Sequence, residues 1–125
     1  VVIGSDCPLL SLETLQSAID SINRGESVLG PALQGGIYLF GVPKGVYLDY
    51  KDIFSGDSKE AYLFCNAMSN AGKKVNILNF YPDIDLPEDV ELLASLLKAA
   101  SLGKGCVKPL FRIPPNTHRV LSSSK

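Results

Sequence analysis

Strand-like and helix-like segments alternate along this 125-residue chain, and the alternation restricts the fold more than any other feature. Runs rich in β-branched and aromatic residues lie at 1–3, at 28–42 with a break that begins at Gly30-Pro31 and ends at residue 35, and at 73–81. Each run precedes a segment whose apolar residues recur at helical spacing, the first of them at 11–24. This order predicts an α/β protein with a three-layer α/β/α arrangement, in which helices cover both faces of a mostly parallel sheet.

The composition is that of one globular domain with little net charge. The chain is 46% hydrophobic and 20% charged, and its 12 Lys and Arg residues stand against 13 acidic residues. A net charge of −1 does not steer the protein towards polyanions, so we expect no nucleic-acid partner. No apolar run approaches the roughly 20 residues that cross a bilayer, and no signal-peptide pattern opens the chain. We therefore expect a cytoplasmic protein without a membrane partner.

Three cysteines, at positions 7, 65 and 106, lie too far apart for a zinc knuckle and indicate reduced, mostly buried thiols. Cys7 is next to Asp6, which makes it a candidate nucleophile. The chain has one histidine, His118, near its C-terminus, so a Cys/His catalytic pair is not expected. We interpret Cys7 as a buried structural thiol.

The composition changes after Gly103, where basic residues, prolines and a Ser-rich end follow one another. Residues 104–125 are therefore predicted to form an extended or partly disordered basic tail with a short helical turn at 116–121, beside a folded domain at 1–103. Val1 already lies in a strand-like run, so we expect the natural protein to continue upstream.

Asp6 follows the first strand-like run, in "VVIGSDCP", and two interpretations are open for it. It is either an ordinary turn residue or a carboxylate held at a strand end to bind a ligand. Ser11 can cap the first predicted helix itself, so Asp6 is not required as that cap.

Two more acidic residues, Asp83 and Asp85, follow the strand-like run at 73–81. Ligands of open α/β sheets bind beyond the carboxyl ends of the strands, so we expect these residues to lie near Asp6. Asp6 with Asp83 or Asp85 meets the preference of Mg²⁺ or Mn²⁺ for oxygen ligands. The alternatives are that Asp85 caps the last helix and that Asp83 fixes an Asx turn.

Gly35 and Gly36 lie in the second of the three loops, between the loops of Asp6 and of Asp83 and Asp85, and directly before "IYLFGV". Glycine lets the backbone approach a ligand closely, which makes both residues candidates for cofactor binding. A tight turn or a bulge is the alternative.

Three stretches together resemble a known family. "VVIGSDCPLL", "VLGPALQGGIYLFGV" and "DIDLPEDVELL" occur in the order and at about the spacing of the glycosyltransferase family known as DUF2064. That family is similar to a branch of the nucleotide-diphospho-sugar transferase (GT-A) fold. The three motifs are linked, which makes them far more specific than any one alone, and the resemblance extends over 1–98.

The resemblance implies a metal-dependent transferase. Asp6 would coordinate Mg²⁺ or Mn²⁺ on the diphosphate of a sugar nucleotide, and Asp83 and Asp85 would lie near the same metal and the acceptor. A sugar would move from a nucleotide-sugar donor to a small-molecule or glycan acceptor, with the metal neutralising the departing nucleoside diphosphate. The alternatives are a nucleotidyltransferase of the same fold and a catalytically inactive binding or partner domain.

The chain departs from the family pattern at three places. Gln34 stands where the family has Asp, Ile37 replaces a Tyr, and "SGDS" at 55–58 replaces a Trp-Gly-Thr stretch. The family's amino-terminal part, which the resemblance connects with binding of the base and phosphates, is not among these residues. We therefore expect weak nucleotide affinity and an uncovered sheet edge, which favours homo-oligomers.

Overall fold

The computed structural model describes residues 1–102 and 114–123, and strands and helices alternate along them. The strands are β1 (Val2–Ile3), β2 (Ser27–Pro31), β3 (Ile37–Gly41) and β4 (Val75–Ile77). The helices are α1 (Leu12–Asn23), α2 (Tyr50–Ile53), α3 (Glu60–Asn70), α4 (Pro87–Ala100) and α5 (Pro115–Ser123). The predicted α/β class is confirmed.

The sheet is mixed rather than mostly parallel, which corrects the prediction. Its strand order is β1-β3-β2-β4, and β3 runs antiparallel to both β1 and β2, whereas β4 is parallel to β2. The reason is the short connection at 32–36 between β2 and β3, because a parallel crossover needs about a dozen residues or more. β1, β2 and β4 still run in one direction, so their carboxyl ends lie at the same end of the sheet.

A β-bulge in β3 brings Tyr38 over β2. The pairing register shifts by one residue after Gly30, so Tyr38 is the extra residue and joins the same apolar cluster as its neighbour Leu39. A Cβ atom on Gly30 would collide with the Tyr38 ring. Tyr38 Oη donates a hydrogen bond of 2.8 Å to the carbonyl of Asn79, which fixes the segment after β4.

Apolar clusters cover both faces of the sheet. On β2, Val28 belongs to one cluster and Leu29 to the other, because neighbouring residues on a strand point to opposite faces. The first cluster joins the sheet to α1 and α4 through the buried residues Ala18, Leu93 and Leu97. The second joins it to α2 and α3 through Ile53, Phe64 and Met68. The helices thus form a layer on each face, as predicted.

The last helix, α5, lies within the predicted tail and packs against α4. Leu121 contacts the first cluster, and the side chains of Ser101 and His118 share a hydrogen bond. The helix is longer than the expected turn at 116–121. The predicted basic residues Lys104, Lys108, Arg112 and Lys125, with the third cysteine, lie outside the described residues.

Within the described residues, no helix combines the length and the apolar character that a membrane crossing requires.

Candidate functional site

Three loops meet where β1, β2 and β4 end. The candidate residues in these loops are Asp6 after β1, Gly35 and Gly36 after β2, and Asp83 and Asp85 after β4. A backbone hydrogen bond of 2.9 Å from Ile84 N to the Asp6 carbonyl joins the first loop to the third. The strand directions therefore carry these distant parts of the sequence to one place.

The carboxylates of Asp6, Asp83 and Asp85, here called the acid triad, come together as expected. One oxygen atom from each lies within 4.8 Å of the other two. Asp6 and Asp85 are exposed, whereas Asp83 is half-buried. Gly4 leaves room for the first carboxylate, because a Cβ atom there would lie only 3.0 Å from Asp6 Oδ1. Three acids that are far apart in the sequence thus form one cluster of oxygen atoms.

Asp83 is the most constrained member of the acid triad. Its Oδ1 atom is buried and accepts no hydrogen bond from the described residues. An unpaired buried polar atom costs about 1–3 kcal/mol, so this atom destabilises the protein unless a ligand pairs with it. Burial raises the pKa of Asp83 above its ordinary value, and the charges of Asp85 and Asp6 add to the rise. A cation at this point would relieve each of these effects.

The N-terminus of α4 is held by Asp89 and not by Asp85. Leu86 is the N-cap residue, and Asp89 Oδ2 accepts hydrogen bonds from the backbone N–H groups of Asp85 and Leu86, at 3.0 and 2.8 Å. The alternative in which Asp85 caps the helix is therefore wrong. The Asp85 carboxylate does not cap the helix and is available to bind a ligand together with Asp6 and Asp83.

Cys7 lies beside the acid triad as a buried thiol and is 7% exposed. Burial raises its pKa to about 12, and the charges of Asp6, Asp83 and Asp85 contribute to that rise. A thiol with this pKa stays protonated at neutral pH, whereas the thiolate is the nucleophile. The structure supports the interpretation of Cys7 as a structural residue.

The donor set of the acid triad fits a hard divalent cation such as Mg²⁺ or Mn²⁺. Carboxylate oxygens are the ligands such ions prefer. Two oxygens on opposite sides of a Mg²⁺ ion lie about 4.2 Å apart, twice a bond of about 2.1 Å. Only one pair of the three oxygens can lie on opposite sides of an ion, and neighbouring ligands are about 3.0 Å apart, so separations of up to 4.8 Å must shorten by side-chain rotation before all three oxygens meet one ion.

A cleft of about 250 Å³ opens beside the acid triad, and Asp83 and Asp85 form part of its lining. Gly35 and Gly36 form a wall without side chains. Gly35 has a φ of +92°, a conformation that favours glycine, and a Cβ atom there would lie 2.9 Å from Ser58 Cβ. The side chain of Gln34 lies outside the described part of the structure.

A second part of the cleft lining, which packs against Gly35, was not predicted from the sequence. It consists of Gly56, Asp57, Ser58 and Glu60, in the loop before α3 and its first turn. The one sequence signal for this part of the lining was the departure from the family pattern at 55–58. The departure shows where the chain differs from the family, but it does not indicate that the loop at 55–58 lies beside the acid triad.

Comparisons with known proteins agree with this architecture. The model of the family described as "Uncharacterized protein conserved in bacteria (DUF2064)" matches residues 1–57. A 2-phospho-L-lactate guanylyltransferase from Methanopyrus kandleri is 33% identical over 117 residues, which cover 89% of this chain and 55% of that protein.

A solved structure has the same fold. The crystal structure of a "putative nucleotide-diphospho-sugar transferase" from Desulfovibrio desulfuricans G20 aligns with a TM-score of 0.73 at 24% identity. The alignment covers 96% of this chain and 48% of that one. The chain thus spans about half the length of both relatives. Residues 1–57 thus match the DUF2064 family model, and the chain as a whole has a nucleotide-diphospho-sugar transferase-like fold.

Proposed function

We propose that this chain carries the metal-binding part of a transferase that moves a sugar from a nucleotide-sugar donor to an acceptor. The observation that carries the proposal is the acid triad, whose oxygen atoms lie within 4.8 Å of one another at the carboxyl ends of the strands. The buried, unpaired Asp83 Oδ1 is a second support, because it makes the triad costly to the fold when no cation is present.

In the proposed reaction, an acceptor hydroxyl oxygen forms a bond to the anomeric carbon of the donor sugar. The bond from that carbon to the diphosphate oxygen breaks, the electron pair stays on the diphosphate, and the hydroxyl proton passes to solvent or to a nearby carboxylate. Mg²⁺ or Mn²⁺, when bound, supplies a Lewis acid that neutralises the diphosphate charge. Asp6, Asp83 and Asp85 would hold this ion. Gly35 and Gly36 line the cleft beside this ion site without side chains.

Nucleotidyl transfer is the second candidate, and the guanylyltransferase relative favours it. The same acid triad would then hold a cation on the phosphates of a nucleoside triphosphate. The two reactions differ in their leaving groups, because sugar transfer releases a nucleoside diphosphate and nucleotidyl transfer releases pyrophosphate. A product assay with both classes of donor therefore separates them.

Calorimetric titration with Mn²⁺ tests the proposed site, first alone and then in the presence of a sugar nucleotide. Asp6→Asn and Asp83→Asn each remove one negative ligand and are expected to weaken Mn²⁺ binding by at least about tenfold. Asp52→Asn removes the same charge from an exposed position on α2 and should bind Mn²⁺ as the wild type does. Equal heats for the wild type, Asp6→Asn and Asp83→Asn would refute the proposal.

A further inference from the structure

Asp85 is an exposed member of the acid triad, and it lies on the loop between β4 and α4. An exposed carboxylate on a loop loses backbone and side-chain freedom when it binds a cation, and this loss weakens binding. A loop whose backbone is already fixed avoids most of that cost. The hydrogen bonds that hold the segment at 83–86 therefore bear on the affinity of the proposed cation site.

Three consecutive backbone N–H groups of this loop are hydrogen-bonded. Ile84 N donates to the carbonyl of Asp6 at 2.9 Å. Asp85 N and Leu86 N both donate to Asp89 Oδ2, at 3.0 and 2.8 Å. The first bond joins the loop to the loop after β1, and the other two join it to α4.

Asp89 belongs to a helix that is anchored in the core. It lies half-buried in the first turn of α4, and the buried residues Leu93 and Leu97 follow on the same face of the helix. Both leucines pack in the first apolar cluster, which joins α4 to the sheet. The carboxylate that accepts the hydrogen bond from Asp85 N is therefore fixed relative to the sheet.

We propose that Asp89 is a positioning residue of the cation site, whose hydrogen bonds hold the backbone of Asp85 so that its carboxylate lies beside those of Asp6 and Asp83. This inference rests on the proposed function. The role extends beyond capping of α4, because Asp85 precedes the N-cap residue Leu86. Asp89 contributes a hydrogen-bond acceptor at a fixed point, and its negative charge is not required for this role.

Two variants of Asp89 separate the hydrogen bonds from the charge. Asp89→Asn keeps a side-chain oxygen that can accept both bonds and removes the charge, whereas Asp89→Ala removes both. In calorimetric titration of the 125-residue chain with Mn²⁺, we expect Asp89→Ala to bind about tenfold more weakly than the wild type. Asp89→Asn should bind within about twofold of the wild type, because Asn and Asp accept hydrogen bonds equally well at helix N-termini.

Amide hydrogen exchange in the same proteins, ¹⁵N-labelled and free of divalent cations, measures the hydrogen bonds without reference to the ion. The amides of Asp85 and Leu86 should exchange slowly in the wild type and in Asp89→Asn. They should exchange about tenfold faster in Asp89→Ala. Fast exchange of both amides in the wild type would contradict the hydrogen bonds themselves, and this result does not depend on the folding of any variant.

Two controls separate positioning of Asp85 from general effects on α4. Ala94→Gly lowers the stability of the helix in its middle and leaves the bonds of Asp89 in place. Glu88→Ala removes a negative charge from an exposed position in the same helical turn as Asp89. Both controls should bind Mn²⁺ as the wild type does.

Three results would overturn the positioning role while Mn²⁺ still binds to the wild type. The first is unchanged affinity in Asp89→Ala. The second is equal weakening by Asp89→Asn and Asp89→Ala, because loss of charge would then account for the effect. The third is equal weakening by Ala94→Gly, which would assign the effect to helix stability. A wild type that does not bind Mn²⁺ would instead refute the proposed function, and the positioning role with it.

Discussion

Carboxylates at the two ends of the sheet differ in their hydrogen-bond partners and in the direction of their pKa shifts. At the end where β2 and β4 begin, Glu26 lies 3.1 Å from Arg24 Nη2 and 3.6 Å from Lys74 Nζ. Asn76 donates a hydrogen bond to Glu26, and this bond, with the two cations, lowers the pKa of the Glu26 carboxyl. At the end where the strands finish, Asp83 has a buried oxygen without a partner and a raised pKa.

This difference identifies Glu26 as a structural carboxylate and Asp83 as a candidate functional one. Glu26 is satisfied by residues of its own chain, so nothing outside the chain is needed to stabilise it. Asp83 lies among other acids, and its environment disfavours its charge. A group that the fold leaves unpaired at a strand end is a reasonable candidate for pairing with a ligand. Ligand, substitution and pH should therefore affect the two ends of the sheet in opposite ways.

The largest expected effect is stabilisation by divalent cation. At a Mg²⁺ concentration of 100 times its dissociation constant, the free energy of unfolding of the wild type should rise by about 2.7 kcal/mol. Asp83→Asn, whose site should bind at least about tenfold more weakly, should gain about 1.4 kcal/mol or less, whereas Glu26→Gln should show the full rise. Urea unfolding with and without Mg²⁺ measures the difference. An equal gain in wild type and Asp83→Asn would remove the distinction between the two ends.

The next effect concerns the protein without divalent cations. Asp83→Asn removes a charge that partial burial and the neighbouring acids disfavour, so we expect the free energy of unfolding to rise by about 1 kcal/mol or less. Glu26→Gln removes a paired charge and should lower it. Urea unfolding in the presence of a chelator compares the two variants, and destabilisation by Asp83→Asn would show that the Asp83 carboxylate has a stabilising partner after all.

The smallest effect is the pH dependence of stability. The pKa of Asp83 is raised from 3.8, so the folded state binds its proton more tightly, and stability falls as the pH rises through the window above 3.8. The pKa of Glu26 is lowered from 4.5, so its stabilisation is present above 4.5 and is lost as the pH falls below that value. Asp83→Asn should abolish the first dependence and Glu26→Gln the second, in unfolding measured as a pH series without divalent cations.

The convergence of the acid triad could be predicted from the sequence because it depends on strand direction. Asp6 and Asp83 each follow a strand-like run, and strands that lie in one direction finish at one end of a sheet. Asp85 was a candidate for the same reason, but the sequence left open whether it caps α4. The structure shows that Asp89, and not Asp85, accepts the hydrogen bonds at the start of this helix.

Three other features of the structure depend on contacts between distant segments, which a local sequence pattern does not indicate. The direction of β3 differs from the prediction because the connection at 32–36 is too short for a parallel crossover. Asp57 and Glu60 reach the cleft through the packing of α3, and nothing in their own segment indicates that position. The pairing of Glu26 with Lys74 and Asn76 likewise joins residues about 50 positions apart in the sequence.

Paramagnetic broadening by Mn²⁺ in ¹⁵N-labelled protein tests the central claim most directly, since it reports which end of the sheet binds a cation. Substoichiometric Mn²⁺ should broaden the amide signals around Asp6, Asp83 and Asp85 first and leave those around Glu26 sharp. Broadening that begins around Glu26, or that spreads evenly over the acidic surface, would contradict the account.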